Sequence, residues 1–83
     1  RMAHLATLPH NHTVMEYAVK AHHHPAPINT LQNEEFPVTI LAIHQSDGSF
    51  NSHPTPETEI RGSDTLYLYG TEKEIARFIA RNF

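Results

Sequence analysis

The fold turns on the stretch "VTILAIHQSDGSFNSHPTPETEIRGSDTLYLYG", Val38 to Gly70. Val38 to Ile43 is apolar on both faces, with Val38, Ile40 and Ala42 on one and Leu41 and Ile43 on the other. Such a run reads as a central strand, or as a strand whose second face meets a partner. "QSDGS" follows, and its Asp47-Gly48 pair is the strongest short hairpin signal in the chain. Phe50 to Ser52 then reads as a short return strand, and "HPTPETEIRGS" as a loop. From Asp64 to Tyr69 the pattern alternates again, Leu66 and Leu68 against Tyr67 and Tyr69, and Gly70 ends the strand. The unit carries no obvious nucleophile, base or phosphate loop.

Working outward, Thr71 caps a C-terminal helix with Glu74 at the capping-box position. Ile75, Phe78, Ile79 and Phe83 recur at helical spacing and make one apolar face. Upstream, "TVMEYAVKA" places Met15, Tyr17 and Val19 on one side and Glu16 and Lys20 on the other, as in a half-buried strand. "HHHPAPIN" breaks it, because proline cannot donate to a sheet ladder. "NTLQNEE" predicts a short helix capped by Asn29 or Thr30, with Glu34 and Glu35 within it and Phe36-Pro37 closing the connection. Arg1 to Leu8 reads as the last turns of a helix entering from a parent protein, with Leu5 and Leu8 on one face. Pro9 stops that helix, and "HNHT" is a turn. The order is strand, short helix, strand, hairpin strand, strand, helix. It predicts an α+β domain, a small and mostly antiparallel sheet with the helices packed on one face.

Composition narrows the function. Eighty-three residues make one small domain with limited capacity to bury surface. There is no cysteine, so neither disulfides nor a thiolate metal site can staple it. Such a domain often gains stability by dimerising or by packing on a larger parent. The formal charge is −3 and the six basic residues are scattered, which argues against a nucleic-acid surface. No run approaches the roughly 18 apolar residues of a membrane span, and no signal-peptide pattern opens the chain. The abrupt start, "RMAHLATLP", looks cut from something longer, and the domain itself reads as soluble.

The order and punctuation of these elements resemble the TrkA-C family, the C-terminal lobe of the RCK (regulator of potassium conductance) module. In that family a first strand leads to a "G-x-T-L-x-E-L"-like short helix, which "INTLQNE" matches through Thr30 and Leu31. "VTILAI" stands for the apolar "V-x-V-x-A-I" strand, and Asp47-Gly48 for the polar turn. "PTPETEI" matches the "P-x-x-x-T-x-L" loop through Pro56, Thr58 and Ile60, and "SDTLYLYG" matches "G-D-x-L-x-V-x-G" through Asp64, Leu66 and Gly70. The resemblance covers residues 14–83, leaving 1–13 as a linker or helix end from the parent. Two departures stand out: Ser63 replaces the glycine before the aspartate, and His44-Gln45 replace a basic residue after the apolar strand. The first is conservative if the turn avoids positive φ.

The resemblance implies a cytosolic regulatory lobe on a membrane-embedded cation channel or transporter, in the same polypeptide or complex. Such lobes pair as homodimers, bind a small molecule or ion near the pairing surface, and shift a gating equilibrium. The chain has no "G-x-G-x-x-G" turn, so it corresponds to the second lobe alone.

The candidate ligand-binding or dimer surface is Leu41, Ile43, His44, Tyr67 and Tyr69. Amphipathic aromatics beside a two-faced apolar strand suit pairing. Asp64 reads as a structural residue whose carboxylate bonds backbone N–H groups. The eight histidines invite a metal site. A site needs three or four converging ligands, though, and in an extended segment only His22 and His24 share a side. "HHHP" therefore reads as a solvated loop, and a diffuse pH-sensing role stays open because imidazoles titrate near neutrality. With no "G-x-S-x-G" and only an exposed Glu34-Glu35 pair, the chain reads as a non-enzyme with no catalytic residue, metal or cofactor. The rival functions are a histidine-based metal-binding module and a dimerisation domain without a ligand.

Overall fold

The computed structural model describes residues 2–31 and 37–83. Among the described residues, five strands form one antiparallel sheet: β1 (Met2–Thr7), β2 (His12–Ala18), β4 (Thr39–His44), β5 (Phe50–Asn51) and β7 (Thr65–Thr71). Their spatial order is β1-β2-β7-β4-β5, so the last strand in sequence lies at the centre. Two short strands, β3 (Ala26–Pro27) and β6 (Glu59–Ile60), pair separately, and α1 (Glu72–Asn82) follows β7 directly. The α+β class and the helix on one face are as the sequence predicts.

The core lies between the sheet and α1. Thr13, Met15 and Tyr17 of β2 are buried, as is Val19 just beyond it, so the strand's alternation points its apolar side inward. Leu66 and Leu68 of β7 are fully buried beside Ile75 and Phe78 of α1, and Val38, Ile43 and Ile60 join the same cluster. Burial raises the Tyr17 phenol pKa, and its ring leans on Phe83 at a centroid distance of 5.6 Å. The start of α1 is the expected capping box. Thr71 Oγ1 accepts from Glu74 N–H at 3.2 Å, and the Glu74 carboxylate accepts from Thr71 N–H at 3.0 Å. The Asp47-Gly48 turn also forms: Gly48 takes φ 92°, its N–H bonds Gln45 O, and Gln45 N–H bonds Ser49 O.

Four expectations are corrected. Residues 2–7 are the edge strand β1, paired antiparallel with β2, and not the end of a helix. His10 and Asn11, at φ 60° and 62°, turn the chain back on itself as a type I′ hairpin requires. The folded unit therefore begins well before residue 14. The helix expected from Asn29 is a single 3₁₀ turn at Ile28–Thr30, and Leu31 is already extended at ψ 142°. The remainder of that prediction, Glu34 and Glu35 included, lies outside the described residues. Ser63 does take positive φ, at 68°.

The fourth correction bears on function. The register between β4 and β7 slips: Ile40 pairs with Leu68, but Ala42 pairs with Tyr67. Leu41 is the extra residue of a β-bulge, and a bulge resets which side chains face inward. Ile43 consequently pairs with Leu66 and is 0% exposed, while Leu41 turns outward at 42%. The two residues read as one surface are on different faces. Ile43 is core.

Candidate functional site

The face of the sheet opposite α1 is the candidate site. Three antiparallel strands set it out, because β7 pairs with β2 on one side and β4 on the other. Leu66 and Leu68 point to α1, so Tyr67 and Tyr69 must point away from it. Both are partly exposed. Glu16 stands directly across from Tyr67, whose hydroxyl donates to Glu16 Oε2 at 2.9 Å. That hydrogen bond, helped by burial and by the charge of Glu16, raises the Tyr67 pKa and keeps the phenol protonated.

Rings continue across the face. Tyr69 stacks on His12, centroids 5.8 Å apart with 24° between planes. Phe50 meets Tyr67 edge-on at 6.2 Å and His44 at 6.3 Å. Phe50 is 60% exposed, the most exposed of the large hydrophobic side chains among the described residues, and Leu41 lies exposed on β4. The result is an aromatic row spanning β2, β7, β4 and β5. A small polar cavity of about 140 Å³ lies beside it, with Glu16, Ala18, His44, Thr65 and Tyr67 in its lining. A larger cleft of about 530 Å³ lies at the end of the sheet, where His12, Val38, Tyr69, Gly70 and Glu74 approach one another. Edge-on rings held in place by neighbours lose little freedom on docking, so this face suits burial against a second apolar surface.

Of the residues expected at the site, Leu41, His44, Tyr67 and Tyr69 lie on this side of the sheet, and Ile43 does not. Phe50, His12 and Glu16 belong to it as well. The return strand after Asp47-Gly48 was the signal for Phe50, and the polar side of the alternation was the signal for Glu16.

Asp64 is structural. It is 1% exposed, and its two carboxylate oxygens accept from Ser46 N–H at 2.9 Å and Arg61 N–H at 2.8 Å, tying the loop after β4 to the turn before β7. The histidines disperse. His4 lies near Glu72 at 3.3 Å, His12 Nδ1 donates to Pro9 O at 3.2 Å, and His23 Nε2 donates to Asn82 O at 3.2 Å. Among the described residues no three His, Cys, Asp or Glu side chains converge as a metal site requires. Also among the described residues, no helix is long and apolar enough to cross a membrane.

No protein-family model matches the chain, and no curated protein matches its sequence.

Proposed function

We propose that the chain is a regulatory lobe of a potassium or related cation channel or transporter. In this reading two copies pair through the aromatic face, and a small molecule or ion shifts the geometry of the pair. The observation that carries the proposal is the exposed Phe50 and Leu41, with the half-buried Tyr67 ring against Phe50, on the face that α1 leaves uncovered. Contiguous exposed apolar surface of this kind marks partner sites, and a twofold axis through it buries the patch against itself. The TrkA-C-like order of strand, short connection, hairpin, strand and helix supports the link to cation transport. A ligand bound between two such faces acts by its differential affinity for two arrangements, and an attached membrane domain feels the difference.

Sedimentation across a concentration series tests the pairing. The chain is expected to dimerise, and Leu41→Glu or Phe50→Glu to dissociate the dimer without altering the circular dichroism spectrum. A monomer at about 1 mM, a concentration at which even contacts of about 4 kcal/mol hold, removes the pairing. For the transport role, deleting the coding segment from its source cell is expected to change the potassium concentration needed for half-maximal growth. Unchanged growth at every potassium and sodium concentration sinks that part.

A further inference from the structure

The loop that leaves β2 folds back over the C-terminal end of α1. His23 N–H bonds Lys20 O at 3.1 Å to close the turn, and the His23 ring rests 4.8 Å from the Phe83 ring. Beside this contact is a cavity of about 450 Å³ lined by Lys20, the three histidines His22 to His24, Pro25, Ala26 and Phe83. We propose that this cavity binds a small anion with a flat apolar body, an aromatic carboxylate or phosphate.

Size comes first. The volume falls in the range of small-molecule pockets, and Phe83, Pro25, Ala26 and the imidazole rings give it largely apolar walls. Those walls fit a planar ring. Charge comes second. The chain carries −3 overall, yet every ionisable side chain lining this cavity is basic. The Lys20 ammonium, exposed at the rim on its flexible stem, is the counter-charge offered to an anion, set against the partial negative charge of the nearby α1 C-terminus.

The third observation is His23 itself. Its Nε2–H is committed to the Asn82 carbonyl at 3.2 Å, which fixes the ring. The other ring nitrogen, Nδ1, is the one buried side-chain polar atom without a hydrogen-bond partner among the described residues. A buried polar atom left unbonded is a standing cost that a ligand can remove. Nδ1 has almost no accessible surface, so a ligand in the cavity bonds it only when the 22–26 loop gives way, and its polar group then supplies the missing partner. The "HHHP" segment is thus packed at its middle residue, where the sequence predicts a solvated loop. The cavity lies on the α1 side of the sheet, so it stands or falls separately from the pairing face.

The test is a titration of the isotope-labelled chain with benzoate, phenyl phosphate and benzylamine, following the backbone N–H signals of Ala21, His22, His23, His24, Ala26 and Phe83. Both anions are expected to give saturable shifts there and to bind at least about tenfold more tightly than benzylamine, a difference of about 1.4 kcal/mol. The tighter of the two identifies the acid as carboxylate or phosphate. Lys20→Gln is expected to weaken anion binding by about fivefold or more while leaving the fold intact, since it removes a mobile exposed charge. His23→Phe keeps a ring against Phe83 but removes both nitrogens, and is expected to abolish the anion preference. Equal affinity for benzylamine, or undiminished anion binding in both variants, overturns the proposal. So do shifts that fail to saturate by about 20 mM.

Discussion

Ser63 holds the left-handed backbone that an L residue adopts only at a cost, at φ 68° between the fully constrained Gly62 and the buried Asp64. Gly62 has no freedom to change. A Cβ there would collide with the carbonyl oxygen of Ala21, so the two loops touch backbone to backbone. Asp64 cannot move either, because its carboxylate holds two N–H groups from separate segments. The strain at Ser63 is therefore imposed by its neighbours. Ser63→Gly is expected to stabilise the chain by about 0.5–1 kcal/mol, the left-handed penalty less the extra chain entropy of glycine. Urea melts check this, and a destabilised glycine variant would mean the serine side chain contributes more than its backbone costs. The serine in place of glycine is therefore not a conservative departure at this turn.

At the scale of the element, the β4 bulge separates two residues that look equivalent in sequence. Ile43→Ala is expected to cost about 2–5 kcal/mol, as for other fully buried aliphatic truncations. Leu41→Ala is expected to change stability by no more than about 0.5 kcal/mol. Equal losses in chemical denaturation would put both side chains in the core and contradict the register. This contrast also shows where sequence reading stops. The Met15, Tyr17, Val19 alternation, the Asp47-Gly48 turn and the Thr71-Glu74 capping box are local devices, encoded within a few residues, and all were legible. The bulge is not local, since only pairing with Leu68 and Tyr67 defines it. β1 hid for a related reason. Every one of its residues is exposed, so no inside-outside pattern exists to read, and the Leu5 and Leu8 spacing imitates a helix. The signal left for it was the His10-Asn11 turn. The candidate face was legible through Tyr67 and Tyr69, whereas the packing of His23 on Phe83 joins residues too far apart in sequence for any spacing rule.

For the molecule as a whole, two carboxylates couple stability to acid. Backbone and side-chain hydrogen bonds from Thr71 lower the Glu74 pKa, and the Ser49 hydroxyl and N–H lower that of Asp47. Both release their protons more readily in the folded chain, so the unfolded chain binds more protons in acid. Their contribution is complete above the ordinary carboxylate pKa of about 4 and is lost as pH falls through the lowered folded values. Melting temperature is expected to be level near neutrality, to fall below about pH 4, and to fall less steeply in Glu74→Gln. An unchanged acid slope in that variant would remove the capping box as a source. The sheet order carries a further consequence, one of timing. β7 is the central strand, and both β2 and β4 need it as a neighbour. A ribosome releases residues 2–64 before any of β7, so the nascent chain holds two separate hairpins, each with the flank meant for β7 bare. Isolated hairpins are marginal in water, and bare strand flanks invite pairing with other chains. The sheet closes only when the final strand slides between them, which makes the interval before residue 71 emerges the chain's most vulnerable moment in the cell.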